Sequence, residues 1–79
     1  MMIQDVKDFF FWDADQPEHR KKHCIRVTKS LAKELLLNDE TIIIGGNVKW
    51  FNIVHIGLDV YEVYLNNTTK NTGYRGKTD

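Results

Sequence analysis

Three histidines and a single cysteine are the side chains that could hold a metal ion or act as a nucleophile. His19 and His23 lie four residues apart, Cys24 follows directly, and His55 is distant in the chain. Histidines at this spacing share a face only on a helix, whereas this segment is predicted to run from a loop into a strand. A free cysteine in such an apolar strand is usually an inert part of the core. We therefore expect no metal, no cofactor and no catalytic residue, and a protein that is not an enzyme.

The charged residues are sorted into blocks, although the formal net charge is zero. Residues 1–18 contain five acids and one base, residues 19–33 contain six bases and no acid, and residues 34–63 again contain five acids and one base. A basic block of this kind can form a surface that contacts phosphate groups or a macromolecular partner. The candidate contacts are Arg20, Lys21, Lys22, Arg26, Lys29 and Lys33.

Two alternatives compete with nucleic-acid binding by the basic block. The basic side chains can simply be solvated, or the acidic blocks can be the working surface and dock on a basic protein partner. The isoelectric point of about 6.8 is lower than is usual for a dedicated nucleic-acid binder. Composition alone therefore leaves the class of partner open.

Three aromatic residues are candidates for stacking against bases or a partner. Trp50, Phe51 and Tyr64 lie on strands that are predicted to pair with each other, and such aromatic platforms bind single-stranded bases. Aromatic residues at these positions more often belong to the core, and we favour the core interpretation.

The length and composition indicate a single small domain. A chain of 79 residues with 42% hydrophobic and 28% charged residues has room for one core. Residues 1–65 are predicted to form that domain, and residues 66–79 a flexible polar tail without apolar periodicity. A single cysteine and the lack of a long apolar run near Met1 favour a cytoplasmic protein that does not enter a membrane.

The N-terminal third of the chain fits two secondary-structure interpretations. Residues 9–12 are predicted as a strand that pairs with a second strand at residues 23–28, with a loop at residues 13–18. The secondary structure of residues 3–8 is left open, because the spacing of Ile3, Val6 and Phe10 would also suit a short helix.

The remaining elements have clearer signals. A helix is predicted from Thr28 or Ser30 through Leu37, followed by a strand at residues 41–44 and a tight turn at Gly45-Gly46. Strands at residues 48–56 and 59–65 then form a hairpin around a Gly57-Leu58 turn, which would place Val54 opposite Tyr61. We predict an α+β fold, with one short helix on a mostly antiparallel sheet and a C-terminal β-meander.

One segment resembles a known family of regulators. Residues 26–28, Arg-Val-Thr, are followed by a short leucine-rich helix and a glycine-turn hairpin, a layout similar to that of AbrB/MazE-type swapped-hairpin DNA-binding domains. The resemblance covers about thirty residues and implies an obligate dimer, a transcriptional regulator or an antitoxin, with basic loops on DNA.

The expected function is that of a small non-catalytic binding or regulatory protein. It would act by occupying a macromolecular partner, either as a protein inhibitor or as a nucleic-acid binder, with the AbrB/MazE-like regulator as the alternative. A homodimer would help a core of this size. Frequent isoleucine, lysine and asparagine suit an AT-rich genome, such as that of many phages and low-GC bacteria.

Overall fold

The computed structural model describes residues 1–67, which form two helices, a 3₁₀ turn and a four-stranded sheet. In chain order these are α1 (Ile3–Ala14), the 3₁₀ turn (Glu18–Arg20), β1 (Cys24–Val27), α2 (Lys29–Leu37), β2 (Thr41–Ile44), β3 (Asn47–Gly57) and β4 (Val60–Asn67). The predicted α+β class is confirmed. Neither helix is long and apolar enough to span a membrane.

The N-terminal segment is a helix, so the strand predicted for residues 9–12 is wrong. The spacing of three and four residues puts Ile3, Val6 and Phe10 on one face of α1, where Val6 and Phe10 are buried. The Asp5 carboxylate accepts a hydrogen bond of 2.6 Å from the Met2 backbone N–H and so caps the first turn. Burial of this helical face against the sheet decides the conformation of an aromatic run that also suits a strand.

Helix α2 follows its sequence signals closely. The Thr28 hydroxyl accepts a hydrogen bond of 3.4 Å from the Leu31 backbone N–H, as an N-cap does. Leu31, Ala32 and Leu35 are buried on one face of the helix. The helix ends at Leu37, and Asp39 adopts a φ of +48°, close to the predicted stop.

The sheet is entirely antiparallel, with the strand order β1-β4-β3-β2. Strand β1 therefore pairs with β4, and not with the aromatic segment near the N-terminus as predicted. The β2–β3 turn forms as expected, because Gly45 and Gly46 have φ values of +59° and +81° that an L-residue with a side chain rarely adopts.

The β3–β4 hairpin forms, but one residue out of the predicted register. Val54 lies opposite Glu62 and not Tyr61, with an irregularity between His55 and Gly57. The turn is at Leu58 and Asp59, and Asp59 takes a φ of +59°. Its carboxylate also accepts a hydrogen bond of 2.9 Å from the Lys29 backbone N–H at the start of α2. This hydrogen bond joins the turn to the start of α2. The composition of the turn alone did not indicate its position.

Both helices pack on one face of the sheet. The residues that form this core, on both layers, are Val6, Phe10, Val27, Leu31, Ala32, Leu35, Ile42, Phe51 and Val63. Because side chains alternate along a strand, Arg26, Trp50, Glu62 and Tyr64 belong to the opposite face of the sheet. Strand β4 continues to Asn67, past the predicted start of the tail at residue 66, and the rest of that tail lies outside the described residues.

Candidate functional site

The loop that carries the basic block is held by a buried carboxylate at the end of α1. Asp13 is 4% exposed and is the buried charged residue of residues 1–67. Its two oxygens accept hydrogen bonds from the backbone N–H groups of Lys22 (2.8 Å) and His23 (3.0 Å). A carboxylate that accepts hydrogen bonds from two N–H groups has its buried negative charge stabilised, and both N–H groups gain a partner. Asp13 thus closes residues 14–22 into a loop against the end of the helix.

This closure creates a concave surface of about 530 Å³, which we call the basic groove. It is lined by Trp12, Gln16, His19, Arg20, Lys21 and Lys22. The 3₁₀ turn presents Arg20, and the Asp13 contact places the backbone of Lys22. Three of the six predicted contact residues are therefore brought together with an aromatic residue that the sequence had not singled out.

The charges of the basic groove are only partly neutralised. Glu18 lies 3.7 Å from Lys21 Nζ and 3.2 Å from His23 Nε2. Within the described residues, Arg20 and Lys22 form no ion pair. The groove therefore keeps two uncommitted cations, which can bind an anionic ligand without first breaking an internal contact.

Trp12 is fixed on one side and open on another. The residue is 48% exposed. Its ring centroid lies 5.9 Å from that of Phe9, and the two ring planes meet at an angle of 43°. Phe9 in turn packs edge-on against the buried Phe10 at 5.0 Å. Trp12 is therefore held by a chain of aromatic contacts that leads into the core. Gln16 lies just beyond the end of α1, and its Nε2 donates a hydrogen bond of 3.5 Å to the Trp12 carbonyl.

The other three predicted basic contacts lie elsewhere. Arg26 belongs to the face of the sheet opposite the helices, where its Nε lies 3.4 Å from Glu62 Oε2. Lys29 and Lys33 are exposed on α2. The six residues thus occupy three separate places, and only Arg20, Lys21 and Lys22 share a concave surface.

The three predicted aromatic contacts do not form a common platform. Phe51 is 7% exposed and packs on Phe10 in the core, with ring centroids 5.8 Å apart. Trp50 is 6% exposed and belongs to the other side of the sheet. Tyr64 is half-buried and shares that side with Trp50. Trp50 and Phe51 are therefore buried, as expected from the interpretation that they belong to the core.

The phenol of Tyr64 is part of a polar cluster on this outer sheet face. Its Oη donates a hydrogen bond of 2.7 Å to Glu62 Oε1, and Cys24 lies opposite it on β1. The hydrogen bond to Glu62, partial burial and a hydrogen bond with Cys24 raise the pKa of Tyr64 to about 12. Ionisation would lose the donated hydrogen bond and place a phenolate beside a carboxylate.

We expect Glu62→Gln to lower the pKa of Tyr64 towards the ordinary tyrosine value of about 10. The folded state holds this proton more tightly than the unfolded chain, so the resulting stabilisation is present below pH ~10 and is lost as the pH rises towards ~12. Tyrosinate absorbance during an alkaline titration, with Tyr64→Phe to assign the late step, measures the shift. Glu34→Gln is the control for loss of one exposed carboxylate. An unchanged late step in Glu62→Gln would contradict the assignment.

No metal site accompanies the groove in the part of the chain that the structure describes. Within residues 1–67, no three His, Cys, Asp or Glu side chains lie together as ligands would. His23, considered above as a ligand, instead contacts Glu18, and His55 stacks on Tyr61 with ring centroids 4.5 Å apart.

No protein-family model, curated protein or solved structure matches this chain. Function must therefore be inferred from the chemistry of the molecule itself. In the basic groove the exposed Trp12 lies beside two cations, Arg20 and Lys22, that form no ion pair among residues 1–67.

Proposed function

We propose that this chain is a small non-catalytic binding protein that occupies a nucleic-acid partner through the basic groove. The observation that carries the proposal is the presence of Trp12, Arg20 and Lys22 in one concave surface. Lysine and arginine bind the phosphates of nucleic acids, and exposed aromatic rings bind their bases.

The geometry favours a defined binding site over the alternative that the basic side chains are only solvated. Solvated lysines need no fixed backbone, whereas the loop here is anchored by the two hydrogen bonds that Asp13 accepts. The acidic blocks do not cancel the groove, since Glu18 contacts Lys21 and His23 but leaves Arg20 and Lys22 unpaired among the described residues. A net charge of zero implies a weak general attraction to nucleic acid, so affinity must come from this local site.

The test is the salt dependence of binding to single-stranded and duplex DNA, measured by fluorescence anisotropy. With Arg20 and Lys22 at the phosphates, the slope of log K against log salt is expected to be about −1.4 for a single strand. Arg20→Ala/Lys22→Ala should lower the affinity about tenfold or more and reduce the slope by about 1.4.

The matched control is Lys29→Ala/Lys33→Ala, which removes the same charge from α2. It should leave both affinity and slope nearly unchanged. Equal losses in the two double variants would mean that only overall charge matters and would contradict a defined groove. Failure of the wild-type protein to bind any nucleic acid at low salt would overturn the proposal and favour a protein inhibitor whose acidic blocks dock on a basic protein partner. A dimer that selects a duplex sequence would favour the AbrB/MazE-like regulator.

A further inference from the structure

We infer that the ligand of the basic groove is a single strand, with one base stacked on Trp12 and adjacent phosphates bound by Arg20 and Lys22. This inference rests on the proposed function and names the form of nucleic acid that the groove takes. The same surface would bind a duplex only through its cations, because the faces of paired bases are covered by their neighbours.

The first argument is the exposure of Trp12. Contacts with phosphate need cations and hydrogen-bond donors, and the aromatic face of Trp12, a residue that is 48% exposed, supplies neither. An exposed aromatic face beside cations does suit an unstacked base, because every base offers a π-face and the phosphates on either side offer charge. Trp12 therefore points to a ligand that has both free bases and phosphates.

The second argument is preorganisation. Trp12 is held by Phe9, and the next residue, Asp13, holds the backbone of Lys22 at 2.8 Å. Trp12 thus supplies the stacking ring, and the next residue, Asp13, positions the basic loop. A site whose parts are already fixed loses less conformational entropy when the ligand binds.

The third argument is size and charge. A groove of about 530 Å³ lies within the range of roughly 300–1,000 Å³ that holds a small ligand. This volume suits one base with its flanking phosphates. A protein that binds a duplex usually contacts several phosphates, which is more than the few cations of this groove can bind. With so few cations, the non-electrostatic contribution of stacking is needed for useful affinity.

The experiment compares a short oligodeoxythymidine with a duplex of the same length, using wild-type protein, Trp12→Ala and Trp12→Leu. Both substitutions should weaken binding of the single strand by roughly 5- to 100-fold, the range for loss of one base–aromatic stack. Binding of the duplex should change less than twofold. Trp12→Leu keeps an apolar side chain over Phe9, so it remains informative if Trp12→Ala is less stable by circular dichroism.

Intrinsic fluorescence provides a second readout, because the chain has only two tryptophans and they differ in accessibility. Trp50 is 6% exposed and Trp12 is 48% exposed. Stacking of a base should quench the fluorescence of wild-type protein, whereas Trp12→Phe should retain most of its binding but show little quenching. Strong quenching in Trp12→Phe would place the base at Trp50 and overturn the inference.

The outcomes separate this inference from the proposed function. If Arg20→Ala/Lys22→Ala weakens binding but Trp12→Leu leaves the single-strand affinity unchanged, the groove binds phosphates and the single-strand inference is wrong. If Trp12→Leu weakens duplex and single strand equally, Trp12 has no base-specific contact and the inference also fails. If neither form binds, the proposed function itself fails.

Discussion

Phe10→Ala is expected to lower the free energy of unfolding by about 3–5 kcal/mol, the usual cost of truncating a buried phenylalanine. Phe10 is 3% exposed and packs on Phe51 of β3, so it joins α1 to the sheet. A domain of this size is stable by only a few kcal/mol, so most of the protein should unfold. Urea unfolding followed by circular dichroism measures the change.

The neighbouring residue provides a matched control. Phe11 is 44% exposed, and Phe11→Ala removes the same atoms at an expected cost below about 1 kcal/mol. A strand would place Phe9 and Phe11 together on one face and would make their truncations similar in cost. Equal losses for Phe9→Ala and Phe11→Ala would therefore contradict the helical assignment of α1, and equal losses for Phe10→Ala and Phe11→Ala would contradict the burial of Phe10.

Asp13→Ala should have the second largest effect. It leaves the backbone N–H groups of Lys22 and His23 without their acceptor, at about 1–3 kcal/mol for each donor that stays buried. We expect a total loss of about 2–4 kcal/mol in the free energy of unfolding. Nucleic-acid affinity should also fall at temperatures where the variant remains folded, because the basic groove loses its anchor.

Asp15→Ala is the control for Asp13→Ala, because it removes an exposed carboxylate close by in the chain. It should change stability by no more than about 0.5 kcal/mol. Asp13→Asn should be intermediate, since its amide keeps one acceptor oxygen while its NH₂ group faces an N–H donor. Thermal melts and anisotropy on the three variants provide the comparison. An Asp13→Ala protein as stable as Asp15→Ala would show that the loop does not depend on this carboxylate.

The parts of the fold that were predictable are those whose signals are local. Thr28 caps α2, leucines at a spacing of four form its buried side, and Gly45-Gly46 supplies the left-handed residues of a tight turn. Each of these depends on neighbours within a few residues. Propensity and spacing were therefore sufficient to place α2, β2 and the first hairpin.

The parts that were wrong depend on distant contacts. The aromatic residues 9–12 suit a strand by composition, and only packing of Val6 and Phe10 on the sheet makes that segment helical. The turn of the second hairpin is at Leu58 and Asp59, and the Asp59 carboxylate contacts the Lys29 backbone thirty residues away. Neither contact is visible in a local pattern.

The candidate site was predicted in part for the same reason. The basic residues Arg20, Lys21 and Lys22 were evident from charge, and whether they bind a ligand stays a prediction. Trp12 was missed because its place beside them depends on α1 being a helix and on Asp13 folding the loop back. An acid nine residues before Lys22 is the sequence feature that could have indicated this closure.

The strand order β1-β4-β3-β2 also determines which strands lie at the edges of the sheet. The two longest strands, β3 and β4, are central, and the edges are formed by strands of only four residues. Open edges recruit further strands and start aggregation, and short edges limit the number of backbone groups that they offer. Lengthening of β2 or β1, by insertion of alternating apolar residues, would therefore favour growth of the sheet from one molecule to the next.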